Sequence, residues 1–174
     1  MKIINLSLLM SFLLLSGCLS TGSKNQIVVE AEDMKLSVYE LEEKAAYSSG
    51  VGVMINTKTN AFQTGTAEYT FQGVSGIYSI DITYVDEAEP LAPLDERFAD
   101  YSVEIVRSGD VTEIDRWTAD QELPDHTISE KTLTVRMIKK VDLKAGDIIR
   151  IYGTATGGGH AEHARIDKLV IRSQ

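Results

Sequence analysis

From Ile27 onward, hydrophobic and polar residues alternate with a period of two along most of the chain. The clearest case is GIYSIDITYVDE, in which Tyr78, Ile80, Ile82 and Tyr84 share one face of an extended segment and small polar or acidic residues share the other. Segments near residues 69–71 and 101–105 repeat this pattern. Because successive side chains of a strand point to opposite faces, the pattern predicts half-buried β-strands.

Short segments rich in β-branched residues, separated by glycine-containing turns, fill the rest of this region. About ten short strands of this kind predict an all-β fold, an antiparallel β-sandwich. LSVYELEEKAAYSS is compatible with a strand or a short helix, and the stretch from Asp86 to Asp100 is the one long loop. The further strand candidates are IVVEAEDM, VGVMIN, TEIDRW, TLTVRMI, DIIRIYG and RIDKLVIR.

The N-terminus carries a targeting signal rather than part of the fold. The apolar stretch from Ile3 to Leu15 is too short to cross a bilayer, which favours a secretory signal. The sequence LSGC, from Leu15 to Cys18, resembles the lipobox of bacterial lipoproteins, and this resemblance implies an acylated Cys18. The alternative is an ordinary secretory signal with a cysteine near its cleavage site.

Three regions follow from this interpretation. Residues 1–17 are predicted to be a lipoprotein signal peptide, residues 18–26 a tether, and residues 27–174 the β-sandwich domain. We therefore expect a lipid-anchored protein of the cell envelope, at the outer membrane, that contacts the membrane through its lipid only.

Length and charge set the first limits on function. A chain of 174 residues suits one domain with a hydrophobic core. Its 26 acidic residues outnumber its 17 lysines and arginines, for a net charge of −9. This balance argues against nucleic acid, or an anionic membrane surface, as the main partner.

Two acidic residues near the start of the domain are spaced for a shared role. Glu30 and Glu32 lie two residues apart, so a strand places both carboxylates on one face, roughly 7 Å apart. Like charges at this distance need water or a cation between them. Asp167 lies in the last predicted strand with the parity of its core-facing residues, where an unpaired acid is costly.

The first and last strands of a sandwich are often neighbours, which brings the three carboxylates together. An all-oxygen cluster suits a hard cation, and calcium tolerates irregular coordination better than magnesium does. The alternative is that the two glutamates are exposed on an edge strand and that Asp167 pairs with Arg165 or Lys168.

The segment GGGHAEHARID, from Gly157 to Asp167, raises three alternatives: a zinc site, an acid/base pair, or a loop into the last strand. His160 and His163 lack the HExxH and HxxEH spacings, and the segment has no third soft ligand. A connecting loop is therefore the favoured interpretation.

Four stretches of the chain resemble the calcium-containing jelly-roll carbohydrate-binding modules of families 6 and 35. They are VEAEDM, TGTAEYTFQGVSGIYSIDITYVDE, IDRWTADQEL and VDLKAGDIIRIYGTATGGGHAEHARIDKLVI. The resemblance implies a jelly roll and a structural calcium held by a Glu-x-Glu and a late Asp, which match Glu30, Glu32 and Asp167. His160, His163 and the loop from Asp86 to Asp100 depart from the family pattern.

Sugars are held by flat aromatic faces and by planar polar groups, so loop aromatics and nearby acids are the candidates for ligand binding. Core packing is the alternative for each aromatic residue, and for Tyr84 the alternation favours it. The candidates are Trp117, Tyr84, Asp86, Glu87, His160 and His163.

We expect a non-catalytic lipoprotein that holds polysaccharide near the cell envelope, with a glycan-degrading enzyme as a possible neighbour. Two alternatives are a polysaccharide hydrolase or lyase and a lipoprotein that docks a partner protein. Neighbouring acids such as Asp86 and Glu87 point to opposite faces of a strand, and the sequence contains no separated carboxylate pair or nucleophile elbow. No catalytic residue is therefore predicted.

Overall fold

The computed structural model describes residues 26–55, 62–86, 99–119, 128–156 and 163–174. Cys18, Glu87, His160 and most of the loop between Asp86 and Asp100 lie outside these ranges, as do the predicted signal peptide and most of the tether. Within the described ranges, no helix is long and apolar enough to cross a membrane.

The described residues form eleven strands and one short 3-10 helix, Ala31–Asp33, which follows the first strand. The strands are β1 (Gln26–Glu30), β2 (Lys35–Ser37), β3 (Tyr39–Glu43), β4 (Val51–Ile55), β5 (Phe62–Thr70), β6 (Gly76–Val85), β7 (Ala99–Arg107), β8 (Asp110–Ala119), β9 (Leu133–Leu143), β10 (Ile148–Thr156) and β11 (Ile166–Ser173).

Two antiparallel sheets pack face to face, which confirms the predicted sandwich. Sheet A has the order β3-β4-β11-β6-β9, with β1 also paired to β11, and sheet B has the order β2-β5-β10-β7-β8. The predicted pairing of the first and last strands is confirmed, since Gln26 to Glu30 lie antiparallel to Arg172 to Lys168.

The ambiguous segment LSVYELEEKAAYSS forms strands followed by a turn, so the helical alternative is wrong. It divides between the sheets: β2 pairs with β5 in sheet B, and β3 pairs with β4 in sheet A. Val38, between them, has a φ of 70°, a left-handed backbone that a β-branched residue rarely adopts. The chain changes sheets at this residue.

The core lies between the sheets and contains the inward-facing residues of β6, as their alternation predicted. The opposite face of β6 is more buried than expected, because Ser79, Asp81 and Thr83 are also buried. β6 is a central strand flanked by β11 and β9, so neighbouring side chains cover it from both sides. Asp81 is paired there with Arg172.

One end of the sandwich is defined by the points where β4, β6, β8 and β10 finish and where β5, β7, β9 and β11 begin. Tyr84 lies opposite Ile166 and Ala99 opposite Ala119, which places these termini side by side in each sheet. The hydroxyl of Tyr101 in sheet B donates to the backbone carbonyl of Arg165, just before β11 of sheet A, at 3.1 Å. We call this end the loop end.

Candidate functional site

The predicted carboxylate cluster lies where β1 ends beside β11. The Ser48 hydroxyl donates to Glu30 Oε2 at 2.6 Å and lies 3.1 Å from Asp167 Oδ1. The Ser48 backbone N–H also donates to Asp167 Oδ1, at 2.8 Å. A serine from the turn between β3 and β4 therefore joins the acids of the first and last strands.

Glu32 contacts the same turn from the 3-10 helix rather than from β1. It lies on the 3-10 helix that follows β1, so the expectation that Glu30 and Glu32 share one strand face is wrong. The Ser49 hydroxyl donates to Glu32 Oε1. Ser48 and Ser49 were not among the predicted residues, because hydroxyl residues in a polar turn carry no signal that they meet a strand far away in sequence.

Asp167 is 1% exposed, which confirms the burial predicted from its parity. It lies at an irregularity of β11, where Ile166 pairs with Tyr84 and Lys168 pairs with Thr83. Its Oδ2 atom forms an ion pair with Lys168 Nζ at 3.7 Å, as the alternative predicted, although this distance is too long for a hydrogen bond. The predicted alternative partner Arg165 pairs instead with Glu42.

Two buried oxygens of this cluster, Glu32 Oε2 and Asp167 Oδ2, have no hydrogen-bond partner among the residues that the structure describes. A buried acceptor without a partner is costly, and carboxylate oxygens are the preferred ligands of hard cations. The donor chemistry therefore fits calcium. In the described part of the chain, however, no three His, Cys, Asp or Glu side chains already stand together as a metal site.

Beside this cluster, a buried ion pair links the same turn to the loop end. Arg165 Nε donates to Glu42 Oε2 at 2.9 Å, and the Tyr47 hydroxyl donates to the same oxygen at 2.7 Å. Burial raises the pKa of Glu42, but the charge of Arg165 and the Tyr47 hydrogen bond outweigh burial, and the net pKa is lowered. Glu42 therefore stays ionised near neutral pH and holds Tyr47 next to Ser48.

Three aromatic side chains pack together at the loop end: Tyr84, Tyr101 and Trp117. The rings of Tyr101 and Trp117 are stacked, with centroids 5.1 Å apart, and Tyr84 lies within 5.5 Å of both. Arg136 lies over the Trp117 ring, 5.5 Å from its centroid, and is held there by two hydrogen bonds to Asp115.

Trp117 is 8% exposed, so the structure places it in the core beneath the loop end. Tyr84 is buried as well, and core packing, the alternative stated for both residues, describes their position. The Trp117 Nε1 atom is nevertheless buried without a hydrogen-bond partner in the described ranges, which is unusual for an indole. Contact between Trp117 and a ligand stays a prediction.

The other described candidates also belong to the framework of the loop end. Asp86 is buried; its Oδ2 accepts from the Tyr84 hydroxyl at 3.2 Å, and its backbone N–H donates to Thr132. His163 contacts Ile55 twice, through its backbone carbonyl at 2.7 Å and its ring Nδ1 at 3.1 Å. These contacts bring Tyr84, Asp86 and Trp117 to one end, with His163 holding β4 against the start of β11.

The outer face of sheet B carries an aromatic residue that the sequence analysis missed. Tyr152 lies on the central strand β10, with Thr66 and Ser102 directly opposite it on the two neighbouring strands. One step toward the loop end, the hydroxyls of Thr64 and Thr154 lie 3.1 Å apart. Strand parity would have found Tyr152, because it alternates with the core residues of β10.

Charged side chains frame this tyrosine on its other side. Arg150 donates to Glu68 Oε1 at 2.7 Å and to Glu104 Oε2 at 3.4 Å. Its guanidinium lies over the Tyr152 ring, 5.9 Å from the centroid, so a sugar stacks on the opposite face of the ring or displaces Arg150. The hydrogen bonds from Arg150 and Lys35 hold the pKa of Glu68 below its usual range. The face therefore presents one half-buried ring among hydroxyls and fixed charges, a chemistry suited to a sugar ring and its hydroxyl groups.

Similar folds occur among solved structures. A family 35 carbohydrate-binding module from Clostridium thermocellum matches with a TM-score of 0.55 and 16% identity, over 86% of this chain and 99% of that one. The C-terminal family 6 module of a marine laminarinase from Zobellia galactanivorans matches with a TM-score of 0.51 and 16% identity, over 86% of this chain and 100% of that one.

A third match is part of an enzyme. The Podospora anserina β-(1,4)-mannanase of families GH26 and CBM35 matches with a TM-score of 0.51 and 14% identity, over 87% of this chain but 28% of that one. No protein-family model matches the chain, and no curated protein matches it. At these identities the similarity establishes a jelly-roll β-sandwich fold and no more.

Proposed function

We propose that this chain binds a polysaccharide without cleaving it. The observation that carries the proposal is the outer face of sheet B, where half-buried Tyr152 lies on the central strand with Thr66 and the buried Ser102 directly opposite it on the neighbouring strands. An aromatic ring stacks on the C–H face of a pyranose, and surrounding hydroxyls and charged groups reach its hydroxyls. The fold shared with carbohydrate-binding modules supports this function.

The loop end is the second candidate surface. It is favoured by the buried indole Nε1 of Trp117, which has no acceptor in the described part of the chain and can donate to a sugar hydroxyl. Binding there requires the Arg136 side chain to move off the ring. A net charge of −9 favours neutral glycans over uronates or sulfates on either surface.

We further propose a lipid-anchored protein of the cell envelope, acylated at Cys18, that carries a structural calcium near Glu30, Glu32 and Asp167. Such a protein gathers glycan close to a membrane, where a glycan-degrading enzyme can act on it. The mannanase supports this partnership, since its family 35 module, which has the similar fold, and its GH26 part belong to one chain.

Tyr152→Ala is expected to weaken glycan binding about tenfold or more, because a stacking aromatic ring carries a large share of a weak affinity. Tyr152→Phe keeps the ring and should retain most of the binding. Calorimetry of the full chain carrying Cys18→Ala, against a panel of neutral plant and algal polysaccharides, measures both. Unchanged binding by Tyr152→Ala would place the site elsewhere.

Trp117→Phe tests the loop end in the same assay. It removes the indole N–H but keeps an aromatic ring in the core, whereas Trp117→Ala would leave a cavity that costs about 3–5 kcal/mol. Loss of binding by Trp117→Phe, with Tyr152→Ala unaffected, would assign the glycan to the loop end. Reducing-end and unsaturated-product assays run in parallel, and new ends or products would show that the chain is an enzyme.

A further inference from the structure

The two edge strands β8 and β9 belong to different sheets and face each other along one side of the sandwich. Toward the loop end this side is closed, because Arg136 of β9 forms two hydrogen bonds with Asp115 of β8, at 2.7 and 2.9 Å. Farther from the loop end both strands are irregular.

In β8 the irregularity is one extra residue. Val103 of β7 pairs with Asp115, and the next residue, Glu104, pairs with Glu113, so Ile114 has no partner. A bulge of this kind bends an edge strand and redirects its side chains. Ile114 points toward the core, against which it is packed.

Strand β9 is irregular as well. Tyr78 pairs with Val141 and Ile80 pairs with Ile138, which leaves two residues, Lys139 and Lys140, against one residue of β6. Lys140 has a φ of 60°, in the left-handed region. Both bulges therefore lie farther from the loop end than the contact between Arg136 and Asp115.

An open pocket of about 540 Å³ lies between the bulges, within the range of volumes that small molecules occupy in proteins. Its inner wall is apolar and consists of Ile105, Ile114, Ile138 and Val141. These are residues of the core or packed against it, so the pocket gives a ligand direct contact with core side chains.

The rim of the pocket is charged. Its lining includes the exposed acid Asp110, and Arg107 is neutralised by Asp142, at 3.2 Å, and by Asp147, at 2.7 Å. Lys139 and Lys140 are exposed, and neither forms an ion pair with a residue that the structure describes. In a chain with a net charge of −9, two adjacent lysines without acidic partners beside an apolar wall favour an anion with an apolar body.

We propose that this pocket binds a small amphipathic carboxylate. The apolar part of the ligand lies against Ile105, Ile138 and Val141, and the carboxylate faces Lys139 and Lys140 at the rim. This site is separate from the glycan-binding surfaces and does not depend on them, because the outer face of sheet B lies on the other side of that sheet.

The probe for this site is 4-phenylbutyrate, compared with its uncharged amide. Methyl NMR of the full chain carrying Cys18→Ala should show saturable shifts at Ile105, Ile114 and Ile138 with the acid. The amide should bind about tenfold more weakly, because it cannot pair with the lysines. Lys139→Glu combined with Lys140→Glu should weaken binding of the acid at least as much.

Two matched variants complete the test. Lys131→Glu changes the charge of an exposed lysine outside the pocket and should leave the affinity unchanged. Thr112→Trp, at an exposed position that lines the pocket, should fill it and abolish the shifts while the melting temperature is retained. The proposal is overturned if the acid causes no saturable shifts at these methyl groups. It is also overturned if the amide binds as tightly as the acid, or if the double lysine variant binds the acid as tightly as the native protein does.

Discussion

Replacing Cys18 with alanine is expected to move the protein from the membrane fraction to the soluble fraction and to abolish incorporation of labelled fatty acid. Cys18 is the only cysteine of the chain and follows an apolar stretch and LSG, as in a bacterial lipobox. One acyl chain binds a bilayer only marginally, whereas several chains on one residue anchor a protein firmly. The whole population should therefore change location.

Ser20→Ala, two residues beyond the cysteine, is the matched control and should leave the protein in the membrane fraction. Fractionation and metabolic labelling are read in the same cells. Labelling that persists in Cys18→Ala would show that the acyl group is elsewhere or that the segment is an ordinary secretory signal.

A chelator is expected to lower the melting temperature of the native domain. A ligand that binds only the folded state at a hundredfold excess over its Kd stabilises that state by about 2.7 kcal/mol. For a domain of this size this corresponds to a shift of roughly 5–10 °C. The expectation rests on Glu32 Oε2 and Asp167 Oδ2, buried oxygens that lack a hydrogen-bond partner.

Asp167→Ala should remove the sensitivity to chelator, and Asp167→Asn should do the same with less disturbance of packing. Asp110→Asn, an exposed acid on the β7–β8 hairpin, is the control and should keep the sensitivity. Metal analysis of the purified protein gives an independent measurement. A domain without metal that ignores chelator would mean that Ser48 and Ser49 stabilise the acids by hydrogen bonding alone.

The alternation of hydrophobic and polar residues determined the fold class. Because every second side chain of a strand points toward the core, the pattern in β6, β7 and β11 predicted both the strands and the burial of Asp167. The pairing of the first and last strands followed from the general architecture of sandwiches and is confirmed.

Local pattern did not predict where strands end or bulge. Glu32 was expected on β1 but lies on the 3-10 helix. Strand β1 ends at Glu30, which pairs with Lys168, and beyond that point β11 pairs with β4 instead. The extra residues at Ile114 and Lys139–Lys140 have no sequence signal, because a bulge depends on the partner strand. The pocket between them therefore exists only in the folded chain.

The sequence by itself determined the residue types of each candidate site, and the tertiary structure decided which of them meet. Trp117 was predicted at the end of a strand as a candidate for ligand binding, yet Tyr101 and Arg136 enclose it, because three strands bring these side chains to one point. Ser48 meets Asp167 across 119 residues of sequence, and this contact depends on how β3, β4 and β11 pack. Periodicity acts between near neighbours, whereas the composition of a site depends on contacts between distant parts of the chain.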